Sequence, residues 1–284
     1  MPVRNRKPAS VEPDAVIANH WQIKPVAMAT LPVPGWECLF GRNDCQMRDL
    51  TFWVWILRRG DTIGLIDTGL PTGADLDSLN RANQQVDPQC LFTVHRNLDD
   101  LLQSEGILPE AVQFALISQM VTYSTGGLTR ENLPNARVYC AWEGMRELLT
   151  RKPNHPPREF YLTGQSWLYF HELLVEDRLV FAEEAVEVAP GVIFEPTGGH
   201  HPGSAGVRIG TARGSIGILE TAFVQTNIEQ EIPIGIAEDA ARCREAIRTY
   251  NRECDFTIAG HEPAAERLLA EFMGTRNLPD SRVQ

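Results

Sequence analysis

Residues 115 to 128 read ALISQMVTYSTGGL. The apolar run that begins one residue earlier predicts a short buried strand over 114–118, and the polar, glycine-ending remainder predicts a loop leaving the strand's end. Such a strand needs neighbours, and they lie upstream. Residues 50–57 (LTFWVWIL) and 62–67 (TIGLID) predict two strands joined by a turn at Gly60 and Asp61, hence a hairpin. The second strand ends at Asp67-Thr68-Gly69, another turn.

Working outward, residues 97–105 have apolar positions at helical spacing and Gly106 stops them. Residues 137–141 predict a strand followed by a helix over 143–149, and 164–174 a longer helix. Short strands are expected at 178–181, 187–188 and 192–195, and a hairpin at 207–210 and 215–219 around Ala212-Arg213-Gly214. An amphipathic helix over 238–253, a strand over 256–259 and a closing helix over 264–273 complete the chain. The order suits an α/β fold with two sheets packed between helical layers. No repeat or low-complexity linker divides residues 1–284, so one domain is expected, with 1–48 as a Pro-punctuated N-terminal extension packing on it.

Hydrophobic residues at 43% and charged residues at 22% are ordinary globular values and argue against extended disorder. A formal charge of −11 would repel nucleic acid and anionic membranes, which leaves a small molecule as the expected partner. No apolar stretch of signal-peptide length follows the basic first ten residues, so a cytoplasmic location is expected. The six cysteines, at 38, 45, 90, 140, 243 and 254, form no CxxC pair and read as reduced, mostly buried thiols.

Five loops occur in an order that resembles the metallo-β-lactamase superfamily, over about residues 50–265. Leu65-Ile66-Asp67-Thr68-Gly69 resembles the strand and turn near the start of that fold. Residues 115–128 resemble the principal metal loop, T-H-x-H-x-D-H-x-G-G. Gly199-His200-His201-Pro202-Gly203-Ser204 is similar to the G-H-T-P-G-S loop, Ile218-Leu219-Glu220-Thr221-Ala222 to the bridging-carboxylate turn, and Ile258-Ala259-Gly260-His261-Glu262-Pro263 to the turn with the last histidine. The tract from Glu220 through Asn227 to Pro233 is particularly similar to the N-acyl homoserine lactonase branch. The resemblance implies a metallo-β-lactamase-like αββα sandwich, two mixed β-sheets between helical layers, and makes a homodimer an expectation.

The resemblance also implies two zinc-like ions held by five histidines and two carboxylates, yet the first-loop ligand positions carry Gln119, Val121, Tyr123 and Ser124. Valine cannot coordinate, neutral amides and hydroxyls are poor zinc ligands, and tyrosine would have to ionise from about pKa 10. What remains is His200, Glu220 and His261. Two readings stay open at this point. In one, no metal is bound and His200 or His261 acts as general base, Glu220 orients it, Tyr123 donates a proton or a hydrogen bond, and Gln119 and Ser124 contact substrate. In the other, a single Zn or Fe ion sits on His200, Glu220 and His261, which requires two histidines that serve different ions in the parent fold to converge. The implied function is a hydrolase-like enzyme acting on a small ester, lactone or amide. The alternative is an inactive relative that serves as a ligand- or protein-binding scaffold.

Overall fold

The computed structural model describes residues 20–150 and 160–274. The first sheet contains β1 (Gln22–Pro34), β2 (Met47–Arg59), β3 (Thr62–Ile66), β4 (Thr93–Val94), β5 (Val112–Leu116), β6 (Arg137–Ala141) and β7 (Leu179–Ala182), in the order β4-β1-β2-β3-β5-β6-β7. The second contains β8 (Val186–Ala189), β9 (Val192–Pro196), β10 (Ala205–Thr211), β11 (Gly214–Leu219) and β12 (Phe256–Ala259), in the order β12-β11-β10-β9-β8. Both are mixed. β3, β5, β6 and β7 run parallel, whereas β1, β2 and β3 pair antiparallel. In the second sheet only β11 and β12 are parallel.

The unbroken apolar run of residues 50–57 follows from burial on both faces of β2. Trp53, Trp55 and Leu57 point into the core between the sheets, with Phe114, Phe194, Val207, Ile216, Ile218 and Ile258. Val54 and Ile56 point the other way, into a second core with Leu79, Leu98, Leu101, Phe170 and Leu173 from the helices Gly73–Asn83, Leu98–Ser104 and Gly164–Val175. On the outside of the second sheet, Ala246, Ile247 and Tyr250 of the helix Ala240–Glu253 cover Leu219 and Ala259. The arrangement is the αββα sandwich expected from the sequence.

The N-terminal reading needs correction. Residues 1–19 lie outside the described residues, but 22–34 form a strand inside the first sheet rather than an extension on its surface. Prolines 25, 32 and 34 disguise it. They are tolerated because β1 pairs with β2 along its length but with β4 only at Ala29 and Thr30, so most of its other side is an open edge where no N–H is needed.

The sandwich gathers the loops of interest at one end. The parallel pairs Ile218 with Ile258 and Leu219 with Ala259 set Glu220 beside Gly260 and His261. Ala205 N–H donates to the carbonyl of Ser118 at 2.7 Å, which ties the entry of β10 to the loop after β5. Gly126 and Gly127 end that loop against backbone: a Cβ on Gly126 would stand 2.0 Å from Pro71 N, and one on Gly127 2.3 Å from Thr68 O. No side chain fits there, which is why the glycine pair closes the loop.

Asp67 holds the same region from below. Its φ is +61°, and its carboxylate accepts Ser118 N–H at 2.8 Å and Ser118 Oγ–H at 2.6 Å. Asp67→Ala would orphan two buried donors and leave alanine in a left-handed conformation that aspartate tolerates better. It should cost about 2 kcal/mol of stability, read as a lowered urea midpoint with unchanged slope, and Asp67→Asn should cost less because one acceptor survives.

Candidate active site

His200 sits on a loop that only a glycine-rich sequence can form. Gly199 has φ +90°, and a Cβ there would stand 2.7 Å from the backbone nitrogen of Cys243. The loop is held against the start of the helix Ala240–Glu253 by Asp239 N–H donating to Gly199 O at 2.8 Å and Arg242 Nε–H donating to Thr197 O at 2.6 Å. His200 is thereby delivered, buried, to Glu220: Nδ1 and Oε1 lie 2.5 Å apart. A carboxylate accepts only, so Nδ1 carries the proton and Nε2 holds the free lone pair. Burial alone would raise the Glu220 carboxyl. The charge and hydrogen bond of His200, with help from Ser204 and His261, outweigh that and hold it below the ordinary carboxylate range.

His261 is equally buried but differently placed. Its ring packs on Phe52 at 4.5 Å, Phe223 at 5.2 Å and Tyr123 at 6.2 Å between centroids, and its Nδ1 has no hydrogen-bond partner. Phe223 also meets His200 edge-on at 4.9 Å, so one aromatic ring touches both imidazoles. Desolvation, with the nearby His200 adding to it against Glu220, pushes His261 down to about pKa 4. It is neutral near pH 7 and a weak base.

That depressed value has a consequence for stability. Below pH 6.5 the unfolded chain binds a proton that the folded His261 refuses, so stability is lost as pH falls from about 6.5 toward 4. His261→Leu removes this loss, worth at most about 3 kcal/mol for a shift of that size. Urea midpoints at pH 7 and pH 4.5 should therefore differ less in the variant than in the parent. Asp67, raised to about 7 by burial despite its hydrogen bonds from Ser118, is common to both proteins and cancels in the comparison.

Tyr123 donates its O–H to Gln119 Oε1 at 2.8 Å. Burial, then Glu220 and Asp67, push its phenol well above its usual value, so the proton stays on. The structure thus gives Tyr123 a different partner from the substrate expected of it: it fixes the Gln119 amide, whose NH2 makes no hydrogen bond among the described residues. Ser124 is turned toward Asp67, which it helps hold ionised, rather than toward the cleft. A small cavity of about 20 Å³ borders Asp67, Ser118, Ser124, Glu220 and His261, too small for a substrate.

The substrate-sized space is above it. A cleft of about 350 Å³ is lined by Gln119, Val121, Tyr123, His200, His201 and His261, with Leu31, Val33, Leu50, Ile236 and several aromatic rings forming its walls. Two lining carboxylates, Glu37 and Glu238, escaped the sequence reading, as did the role of His201. Glu37 lies in a tract that matched no motif, and nothing in the sequence ties it to the site. His201 could have been noticed, because it stands where the similar family loop carries threonine.

The donor set does not fit the two ions that the fold implies. Gln119, Val121, Tyr123 and Ser124 stand where the resemblance puts four ligands; Tyr123 donates to Gln119, and Ser124 lies beside Asp67. Nor do His200, Glu220 and His261 converge for one ion. Among the described residues, the group of histidine and carboxylate ligand atoms lying within 4.8 Å of one another is Glu147, His201 and Glu238. In that group Gly203 N–H donates to His201 Nδ1 at 3.1 Å, and His201 Nε2 lies 2.8 Å from Glu147 Oε2. Glu147 also accepts from Tyr161 O–H at 3.0 Å. The trio fastens the helix Trp142–Thr150 to the loop beside His200.

No protein-family model matches the chain, and no curated protein matches it. Solved structures do. An N-acyl homoserine lactone hydrolase with its product bound at the catalytic metal centre superposes with a TM-score of 0.69 at 19% identity, covering 88% of this chain and 96% of that one. A probable metal-dependent hydrolase from Staphylococcus aureus gives 0.67 at 15% identity, covering 86% and 90%. A dizinc quorum-quenching lactonase gives 0.59 at 12% identity, covering 86% and 88%. The fold is therefore metallo-β-lactamase-like.

Proposed function

We propose that the chain is a hydrolase of small esters or lactones whose base is the His200–Glu220 dyad rather than a metal-bound hydroxide. The observation that carries this reading is the 2.5 Å contact between Glu220 Oε1 and His200 Nδ1, which leaves Nε2 as the basic atom at a substrate-sized cleft. His200 Nε2 takes a proton from water as the water oxygen bonds to the acyl carbon, and Glu220 stabilises the imidazolium so formed. The Gln119 NH2, held in place by Tyr123, donates to the developing oxyanion. As the tetrahedral intermediate collapses, the C–O bond to the leaving group breaks and His200 returns the proton to that oxygen. The products are an acid and an alcohol, or one hydroxy acid from a lactone.

His261 takes a smaller part than the sequence suggested. Neutral and ringed by Phe52, Tyr123 and Phe223, it serves as an uncharged wall that keeps the dyad's surroundings apolar.

A panel of acyl esters, acyl homoserine lactones and simple lactones tests the reading. Turnover of one class, first order in enzyme and absent from His200→Gln, is the expected result. A scaffold without activity would show no turnover across the panel.

A further inference from the structure

The walls of the cleft carry a recognisable chemistry apart from the dyad. Trp36, Phe52, Phe160, Tyr161 and Phe223 supply aromatic surface, Glu37 and Glu238 supply negative charge, and among the described residues no lysine or arginine lines it. Glu37 is half-buried and makes no hydrogen bond or ion pair through its carboxylate among the described residues. Arg48, on the strand that follows, is paired with Asp44 at 2.7 Å.

The position of Glu37 is fixed. Its carbonyl accepts Gly235 N–H at 2.7 Å, and Phe40 N–H donates to Pro233 O at 2.8 Å. Gly235 packs so closely that a Cβ on it would stand 1.6 Å from Trp36 O. Trp36 and Glu37 are thus held as neighbours on a stiff rim, one an aromatic face and the other a carboxylate that no lysine or arginine among the described residues pairs with. Burying such a group among apolar walls is costly unless a ligand's charge compensates. Burial pushes the Glu37 carboxyl up to about 7, with His200 the opposing charge.

We propose that the cleft recognises an organic ammonium group, held between the Glu37 carboxylate and the aromatic rings led by Trp36, so that the substrate is an ester or lactone bearing a positively charged amine. The proposal deepens the hydrolase reading and rests on it for the words ester and lactone; recognition of the cation stands on the cleft walls alone. Aromatic faces attract ammonium ions, and more strongly once water is excluded. The chain's formal charge of −11 would favour their approach. An anionic substrate would meet two carboxylates and, among the described residues, no lysine or arginine.

Choline and its neutral carbon isostere, 3,3-dimethylbutan-1-ol, separate charge from shape. Calorimetric titration of the full-length protein should show choline binding about tenfold or more tighter than the isostere, a difference of the size expected for a partly desolvated cation–aromatic and ion-pair contact. Glu37→Gln should remove most of that ratio, and Trp36→Leu, at a partly exposed position that a fold can spare, should reduce it independently. Equal binding of the two probes, or a ratio unchanged in both variants, would overturn the proposal. The same titration on His200→Gln keeps the two readings apart. Cation preference there without turnover by the parent protein would sink the hydrolase reading alone, and turnover without cation preference would sink this one alone.

Discussion

Replacing His200 with glutamine is expected to lower kcat for the protein's ester or lactone substrate about 10³-fold while leaving KM within a few-fold, the range that loss of a positioned general base produces. Glutamine is chosen because its amide NH2 can still donate to Glu220, so the buried carboxylate keeps a partner and the loop over 198–204 keeps its shape. The loss should therefore fall on the chemical step. A thermal unfolding midpoint close to that of the parent would confirm that the fold has survived. If kcat fell less than tenfold in a folded variant, the dyad would not be the base.

Glu220→Gln should be almost as damaging, again by about 10³ in kcat, for a different reason. The carboxylate at 2.5 Å fixes the His200 proton on Nδ1 and stabilises the imidazolium. An amide that turns its NH2 toward the ring would reverse the tautomer and aim an N–H, not a lone pair, at the water. Because the two residues act as one unit, the double variant should be little worse than either single one. Additive losses would instead mean that each residue works alone. Stability supplies a second readout. Glu220 is held below the ordinary carboxylate range, so it contributes stability above that range that is lost as pH falls through its own lowered value. Glu220→Gln should weaken folding at pH 7 and flatten the acid side of the stability curve.

Much of the fold could be read from pattern, for reasons that the structure makes plain. The run of residues 50–57 announced a strand, and the Gly-Asp turn after it announced the hairpin of β2 and β3. The hairpin of β10 and β11 and the helices Gly164–Val175 and Ala240–Glu253 fall within a residue or two of expectation. β1 was hidden because its prolines are harmless only on an open edge, and openness is a property of the sheet, not of the segment. The same division runs through the site. The glycines at 126, 127 and 199 and the strand-end positions of Glu220 and His261 mark where chemistry gathers, since backbone lies against those glycines and excludes other residues. Pairings could not be read in this way. That His200 and not His261 meets Glu220, that Tyr123 spends its proton on Gln119, and that Ser124 turns to Asp67 depend on side-chain directions set by packing. Glu37 reaches the cleft only through the fold of β1.

Metal dependence is where this account parts most clearly from what the fold implies. Protein purified without chelator, its metal content measured, should then be stripped with chelator until no stoichiometric zinc or iron remains and assayed on the substrate class found in the panel. The account predicts that kcat survives stripping, gains nothing from added Zn²⁺ or Fe²⁺, and is lost in His200→Gln. Activity that disappears with the metal and returns with it would contradict the dyad and restore a metal-bound hydroxide.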